Sequence, residues 1–267
     1  MIYILSAISN TNIYELFLYF FIYSLLGWLT EVCYAYKVRG FFVNRGFLYG
    51  PLCPIYGTGI VLAIISLELF NDNIILLYIF ATILVSLVEY ITGFILETFF
   101  NSRWWDYSDN AFNIKGRICL SFSLLWGVAV VFIIKVIHPL IASLVNLVPD
   151  VVLTPIAYLI LIYFLTDVFF TLSSLIRLNS LFNSLNNISV EIKDRYEYLF
   201  STTKEIAMDA AQNIEQNLKD LKSKYENSLN NINLNHRRLI NAFPNIKSKK
   251  FDSILTEIKN KINSLKN

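Results

Sequence analysis

Two glutamates eight residues apart, Glu89 and Glu97, stand in the stretch LVEYITGFILETFFNSRWWDYS (87–108), with Gly93 midway between them. Residues four apart on an α-helix sit one above another with a drift of about 40°. The two carboxylates therefore share one side, and the glycine leaves room for a neighbouring backbone or a ligand. The stretch leaves through Arg103 and the run Trp104, Trp105, Asp106, Tyr107. Two further acids, Glu31 and Asp167, sit in other apolar runs. A carboxylate in hydrocarbon costs roughly 2.5–3.5 kcal/mol on insertion scales, so each must be paired, solvated from a cavity or protonated. Acids in contrasting surroundings can do acid–base chemistry. The same groups can bind cations or relay protons in a transporter.

Other chemistry is sparse. The chain has no G-x-x-x-x-G-K-[ST] loop, no H-E-x-x-H and no G-x-S-x-G elbow. Its two histidines, His138 and His236, are expected at the outer surface and in the C-terminal tail, which leaves no imidazole base inside the membrane. Cys33, Cys53 and Cys119 are odd in number and widely spaced, which predicts small packing residues and neither a disulfide framework nor a metal site. No metal or cofactor is expected.

The elements that carry these acids follow from composition. Of 267 residues, 55% are hydrophobic and 15% aromatic, too apolar for an ordinary soluble domain of this size. Long apolar runs fill 13–177, while 178–267 is rich in Asn, Lys and Glu. The expected fold is an all-α integral membrane protein, with a transmembrane domain over 1–177 and a helical tail over 178–267. The first part carries net charge −2 and the tail +4. So small an excess argues for a solvated face or an anionic membrane surface, not nucleic acid. Residues 1–12 carry no Lys or Arg, so no cleavable signal peptide is expected.

A bilayer core of roughly 30 Å needs about 20 apolar residues in a helix. Five spans meet that test, at about 13–36, 48–69, 74–99, 118–137 and 151–176. Lys37, Arg39, Arg45, Arg103, Lys115 and Arg117 fall on one side and only Lys135 on the other. That asymmetry predicts an outside N-terminus and a cytoplasmic tail. At about 1.5 Å per residue, Glu31 and Glu89 then lie about 22–26 Å from the outer ends, Glu97 at the inner boundary and Asp167 near the midplane. The expectation is a polar pocket in the cytoplasmic half, built from Glu31, Glu89, Glu97, Asp167 and Asp106 with Arg45, Arg103, Arg117 and Ser121. The competing reading is a set of ion pairs that only fixes helix packing, with long arginines reaching to the surface.

Gly50, Pro51, Pro54 and Gly57 interrupt the approach to the second span, which predicts either a broken helix or a helix start with Pro in its first turn. Trp104 and Trp105 read as an interfacial belt, beside a polar lid of Asp106, Asp109, Arg103 and Arg117. In the tail, apolar residues recur three or four apart from Leu185 to Ile232 and again from Phe251 to Leu265. Thr202 with Glu205 resembles a capping box opening a new helix. Pro244 separates the two stripes, which predicts a helical hairpin or a coiled-coil-like pairing. The step near 3.6 favours the hairpin. Basic residues flanking the proline are placed to touch solvent, anionic lipid or a partner.

The segments YSLLGWLTE (23–31), NRGFLYGPLCPIYG (44–57), EYITGFILE (89–97), RWWDYS (103–108), FNIKGRICLSFSLLWG (112–127) and RRLINAFPNIKS (237–248) together resemble the bacterial ABC transporter permease family of the CmpB-like, type IV group. The resemblance implies a multi-pass protein of the bacterial plasma membrane in contact with membrane lipids. It supplies no catalytic residues. A permease of that kind works with a separate ATPase subunit, and five spans are few for a pore, which makes a homodimer attractive. Three functions remain open: a transport subunit of unassigned substrate, an intramembrane enzyme acting on a lipid or lipid-linked substrate, and a scaffold or sensor acting through its tail.

Overall fold

The computed structural model describes residues 12–202, 208–230, 232, 234–248 and 250–264. Helix α1 (Ile13–Arg39) starts where the Asn12 side chain accepts the Tyr14 amide proton, and it ends at Gly40, whose φ of 75° suits a residue without Cβ. Helix α2 (Pro54–Leu67) opens with its proline in the first turn, where no amide donor is missed, and closes in a 3-10 turn, Glu68–Phe70. Helix α3 (Ile74–Phe100) is capped by Asn73, which accepts from the amides of Ile75 and Leu76. A short loop with two β-ladders follows, and α4 (Leu120–Phe132) runs through a π turn, Ile133–Ile137, into α5 (His138–Val145). Helix α6 (Asp150–Thr202) is one continuous 53-residue helix.

Among the described residues, four helices are long and apolar enough to cross a membrane: Ile13–Arg39, Ile74–Phe100, Leu120–Val145 and Val151–Tyr198. Pro54–Phe70 is apolar but shorter, about 26 Å long against a core of roughly 30 Å. Four of the five expected spans are thus long apolar helices, and the second is a short one. The shortening has a local cause: Pro51 removes a backbone donor and Pro54 keeps Cys53 before it out of the helical region, so residues 48–53 are irregular. Helix α2 packs between α1 and α3, α3 packs on α4, and α6 on α1. At the end of the bundle far from the tail, Leu16, Tyr19, Tyr23, Ile60, Ala63, Leu77, Ala81 and Val130 form a shared core.

The boundary expected between 177 and 178 falls inside α6, which carries straight on into the tail. Helix α7 (Met208–Asn230) packs back along α6, and both α8 (Leu234–Ala242) and α9 (Asp252–Ser264) also pack on it. The capping-box residues after Thr202, and Leu265, lie outside the described residues. The tail's apolar stripes do not only bury one another. Leu229, Leu239, Ile240, Phe251, Ile254, Leu255 and Ile258 share one core with Leu175, Leu178, Phe182 and Trp104. Strand β1 (Ser102–Arg103), just after α3, pairs antiparallel with β4 (Lys247–Ser248) of the tail. Trp104 is consequently a buried core residue, packed edge-on against Phe47 and Phe243, and not part of an interfacial belt. The second ladder, β2 (Asn113–Ile114) with β3 (Ile118–Cys119), closes a hairpin through Lys115 and Gly116, both at positive φ.

Candidate functional site

The two loops at the tail end of the bundle bring partners to the acids, each loop serving two of them. On α1, Glu31 lies 3.2 Å from Arg45 Nε and accepts a 2.6 Å hydrogen bond from the Tyr56 hydroxyl of α2. Tyr56 sits over Gly27, where a Cβ would come within 2.6 Å of the ring, so α1 and α2 approach closely at this point.

Glu97, at the end of α3, holds two arginines. Arg103 Nε reaches Oε1 at 3.1 Å, while Arg117 places Nε and Nη2 at 3.1 and 2.8 Å from Oε2. The Arg117 guanidinium also lies over the rings of Tyr90 and Phe94 and donates to the Tyr90 hydroxyl at 3.1 Å. A planar fork suits this use, because it serves a carboxylate and aromatic faces together. Gly93 lies beneath that assembly, 3.2 Å from the Trp105 ring as measured from an added Cβ. Trp105 in turn donates to the Arg117 carbonyl at 2.8 Å.

Glu89, two turns earlier, is treated differently. It accepts one hydrogen bond, at 3.1 Å, from the Tyr107 hydroxyl, and among the described residues no cation pairs with it. Burial, reinforced by the Glu89 carboxylate, raises the Tyr107 hydroxyl well above its ordinary range, so it remains a donor. Asp167 of α6 is buried, and among the described residues it too has no direct cation partner. Its two oxygens accept from the consecutive amides of Tyr49 and Gly50, each at 2.8 Å, with Thr171 adding a 3.3 Å contact. Gly50 is required there, since a Cβ would stand 1.9 Å from the Tyr163 hydroxyl and 2.7 Å from Asp167 itself.

Asp106 turns towards the tail. It takes a 2.7 Å bond from Lys247, accepts from the amide and hydroxyl of Ser108, and lies 3.8 Å from Arg103. Burial pushes this carboxyl up, but the bonds from Lys247 and Ser108 outweigh it and hold the group at about 2. Asp106 raises Lys247 correspondingly.

The expected single pocket is thus divided. Glu97, Arg103 and Asp106 line one polar cleft of about 440 Å³, closed on its other side by Lys247, Lys250 and Asp252 of the tail. Glu31, Glu89, Asp167, Arg45 and Arg117 do not line it. Ser121 is exposed and contacts Cys119, whereas Ser123 is buried. Pro51 is exposed in the loop, and Gly57 packs against the backbone of α1. His138 stands inside the long helix Leu120–Val145, against Tyr19 and 3.1 Å from the Tyr23 hydroxyl, so an imidazole does reach the apolar bundle at its far end. Tyr56, Tyr107 and Arg238 were not foreseen as partners. An aromatic hydroxyl in an apolar run looks like packing until its neighbour is known. Among the described residues, no three metal-ligating side chains converge.

Four long apolar helices with ionisable groups held at one end define a multi-pass helical membrane protein. Residues 18–172, more than half of the chain, match the family described as "Putative ABC-transporter type IV", and the chain belongs to that family. The matched segment spans Glu31 through Asp167. No curated protein and no solved structure matches the chain.

Proposed function

We propose that the protein is the membrane-spanning subunit of a transporter and that Glu89 is its working carboxylate. The single observation that carries this reading is the contrast between Glu89 and its neighbours. Glu31 faces an arginine, Glu97 faces two, and among the described residues Glu89 faces only a neutral hydroxyl. An uncompensated carboxylate inside an apolar helix is costly, and such groups commonly mark a route for ions, protons or substrates. The family supports a transport role and, with it, an ATPase partner. In this reading all five apolar helices cross the bilayer, the short one included. The N-terminus lies outside, and the loops rich in Arg and Lys lie with the tail on the cytoplasmic side. Two copies together would supply enough helices to surround a path.

The rival reading as a lipid-modifying enzyme needs an arginine free to grip a headgroup. Arg45 and Arg117 are both engaged by glutamates, which counts against it.

The reading is tested in cells lacking the gene, complemented with wild type or Glu89→Gln, by comparing their ion and small-metabolite content. Glu89→Gln is expected to behave as the deletion while membrane abundance and Tm stay at wild-type values. Full complementation by that variant would sink the assignment.

A further inference from the structure

The peptide group joining Leu48 to Tyr49 lies between two charges. Its carbonyl oxygen accepts a 2.8 Å bond from Arg238 Nη1 of the tail, and its amide donates a 2.8 Å bond to Asp167 Oδ1 of α6. Arg238 also reaches the carbonyls of Gly46 at 3.1 Å and Phe47 at 3.2 Å, and its guanidinium lies 4.5 Å from the centre of the Tyr49 ring. On the other face, the Gly50 amide completes the cradle around Asp167. The Asn44 side chain steadies the turn by donating to the Tyr49 carbonyl at 2.8 Å while accepting from the Gly46 amide and from Trp28. Carbonyls thus face the cation and amides face the anion. Each charge polarises the peptide group towards the other, so the bonds strengthen one another.

We propose that Arg238 is a latch carried by the tail that holds the 44–50 loop on Asp167, so that tail position decides whether Asp167 is covered. With α8 seated, Asp167 is satisfied by two backbone amides. With α8 lifted, three carbonyls lose their cation, the loop relaxes, and Asp167 becomes a bare carboxylate. Arg39 grips the same helix through the Asn241 carbonyl at 2.8 Å, so α8 is seated from α1 as well as from the loop. Asp167 lies outside the Glu89 assignment, and the latch rests on the transport reading only for what an uncovered Asp167 then does.

The test is hydrogen exchange with mass spectrometry on the full chain in lipid nanodiscs, read at the peptide covering 44–53. Arg238→Ala and Asp167→Asn are each expected to speed exchange of that peptide by about tenfold or more, as for loss of one charge-assisted hydrogen bond. The hairpin at 113–119, which neither residue touches, should keep its wild-type rate. Arg238→Lys should give a smaller increase, because one ammonium cannot span three carbonyls. It also carries the test should Arg238→Ala fail to fold. Unchanged exchange at 44–53 in Arg238→Lys and Asp167→Asn overturns the latch. So does an equal increase across the whole chain, which would make Arg238 a general stabiliser. None of these readouts depends on transport, so a failed latch and a failed transport assignment remain distinguishable.

Discussion

Glu89 and Glu97 occupy one side of one helix, yet their neighbours give them different work. Glu97 ties together the two arginines that bracket the 101–119 loop. Removing its charge leaves Arg117 without its carboxylate and Arg103 with Asp106 at 3.8 Å, and breaking such a pair from one side costs about 3 kcal/mol. Glu97→Gln is therefore expected to lower Tm markedly, whereas Glu89→Gln should leave it unchanged. Thermal unfolding in nanodiscs checks both. Asp106 gives a pH dependence with a definite sign. Its carboxyl titrates at about 2 in the folded protein against an ordinary 3.8, so its contribution is fully present above about pH 4 and is lost as pH falls towards 2. Proteolytic release of the tail should rise across that window in wild type. In Asp106→Asn the same window should show no such step.

At the scale of the element, the short helix α2 depends on closeness to α1. A Cβ on Gly57 would fall 2.4 Å from the Phe20 carbonyl oxygen and 2.2 Å from Ser24 Oγ, and a backbone atom cannot turn aside as a side chain can. Gly57→Ala is expected to destabilise by about 1–3 kcal/mol through overpacking. Gly59 provides the control, because a Cβ there meets nothing within 4 Å. Gly59→Ala should be neutral, or should stabilise by up to about 1 kcal/mol through helix propensity. Equal Tm losses in the two variants would refute the packing account.

At the scale of the molecule, the tail and the loop after α3 share one core. Trp104 from the loop after α3, Phe182 from α6 and Phe251 from the tail share a core, and the β1–β4 ladder stitches loop to tail. A chain ending at residue 202 should therefore lose stability in its remaining helices and expose Trp104, read as a red-shifted Trp fluorescence and a lower Tm. An independent tail would leave both unchanged.

Apolar runs and capping residues are local properties, so the sequence alone determined the all-helical, membrane-type class and the four long apolar helices. At the start of α2 it left two alternatives, a broken helix or Pro in the first turn, because Pro acts locally through its missing amide and restricted backbone, and the second is what forms. Which acid meets which partner was decided only by the tertiary structure. Arg45, Tyr56, Tyr107 and the amides of Tyr49 and Gly50 are remote in sequence from the groups they serve, and helix periodicity cannot rank them. Trp104 moved from an expected interface to a core for the same reason: side chains more than a hundred residues away, among them Phe243 and Ile246, remove its surroundings from water. Hydrophobicity sets how much surface must be buried, whereas long-range packing selects the surfaces that bury it.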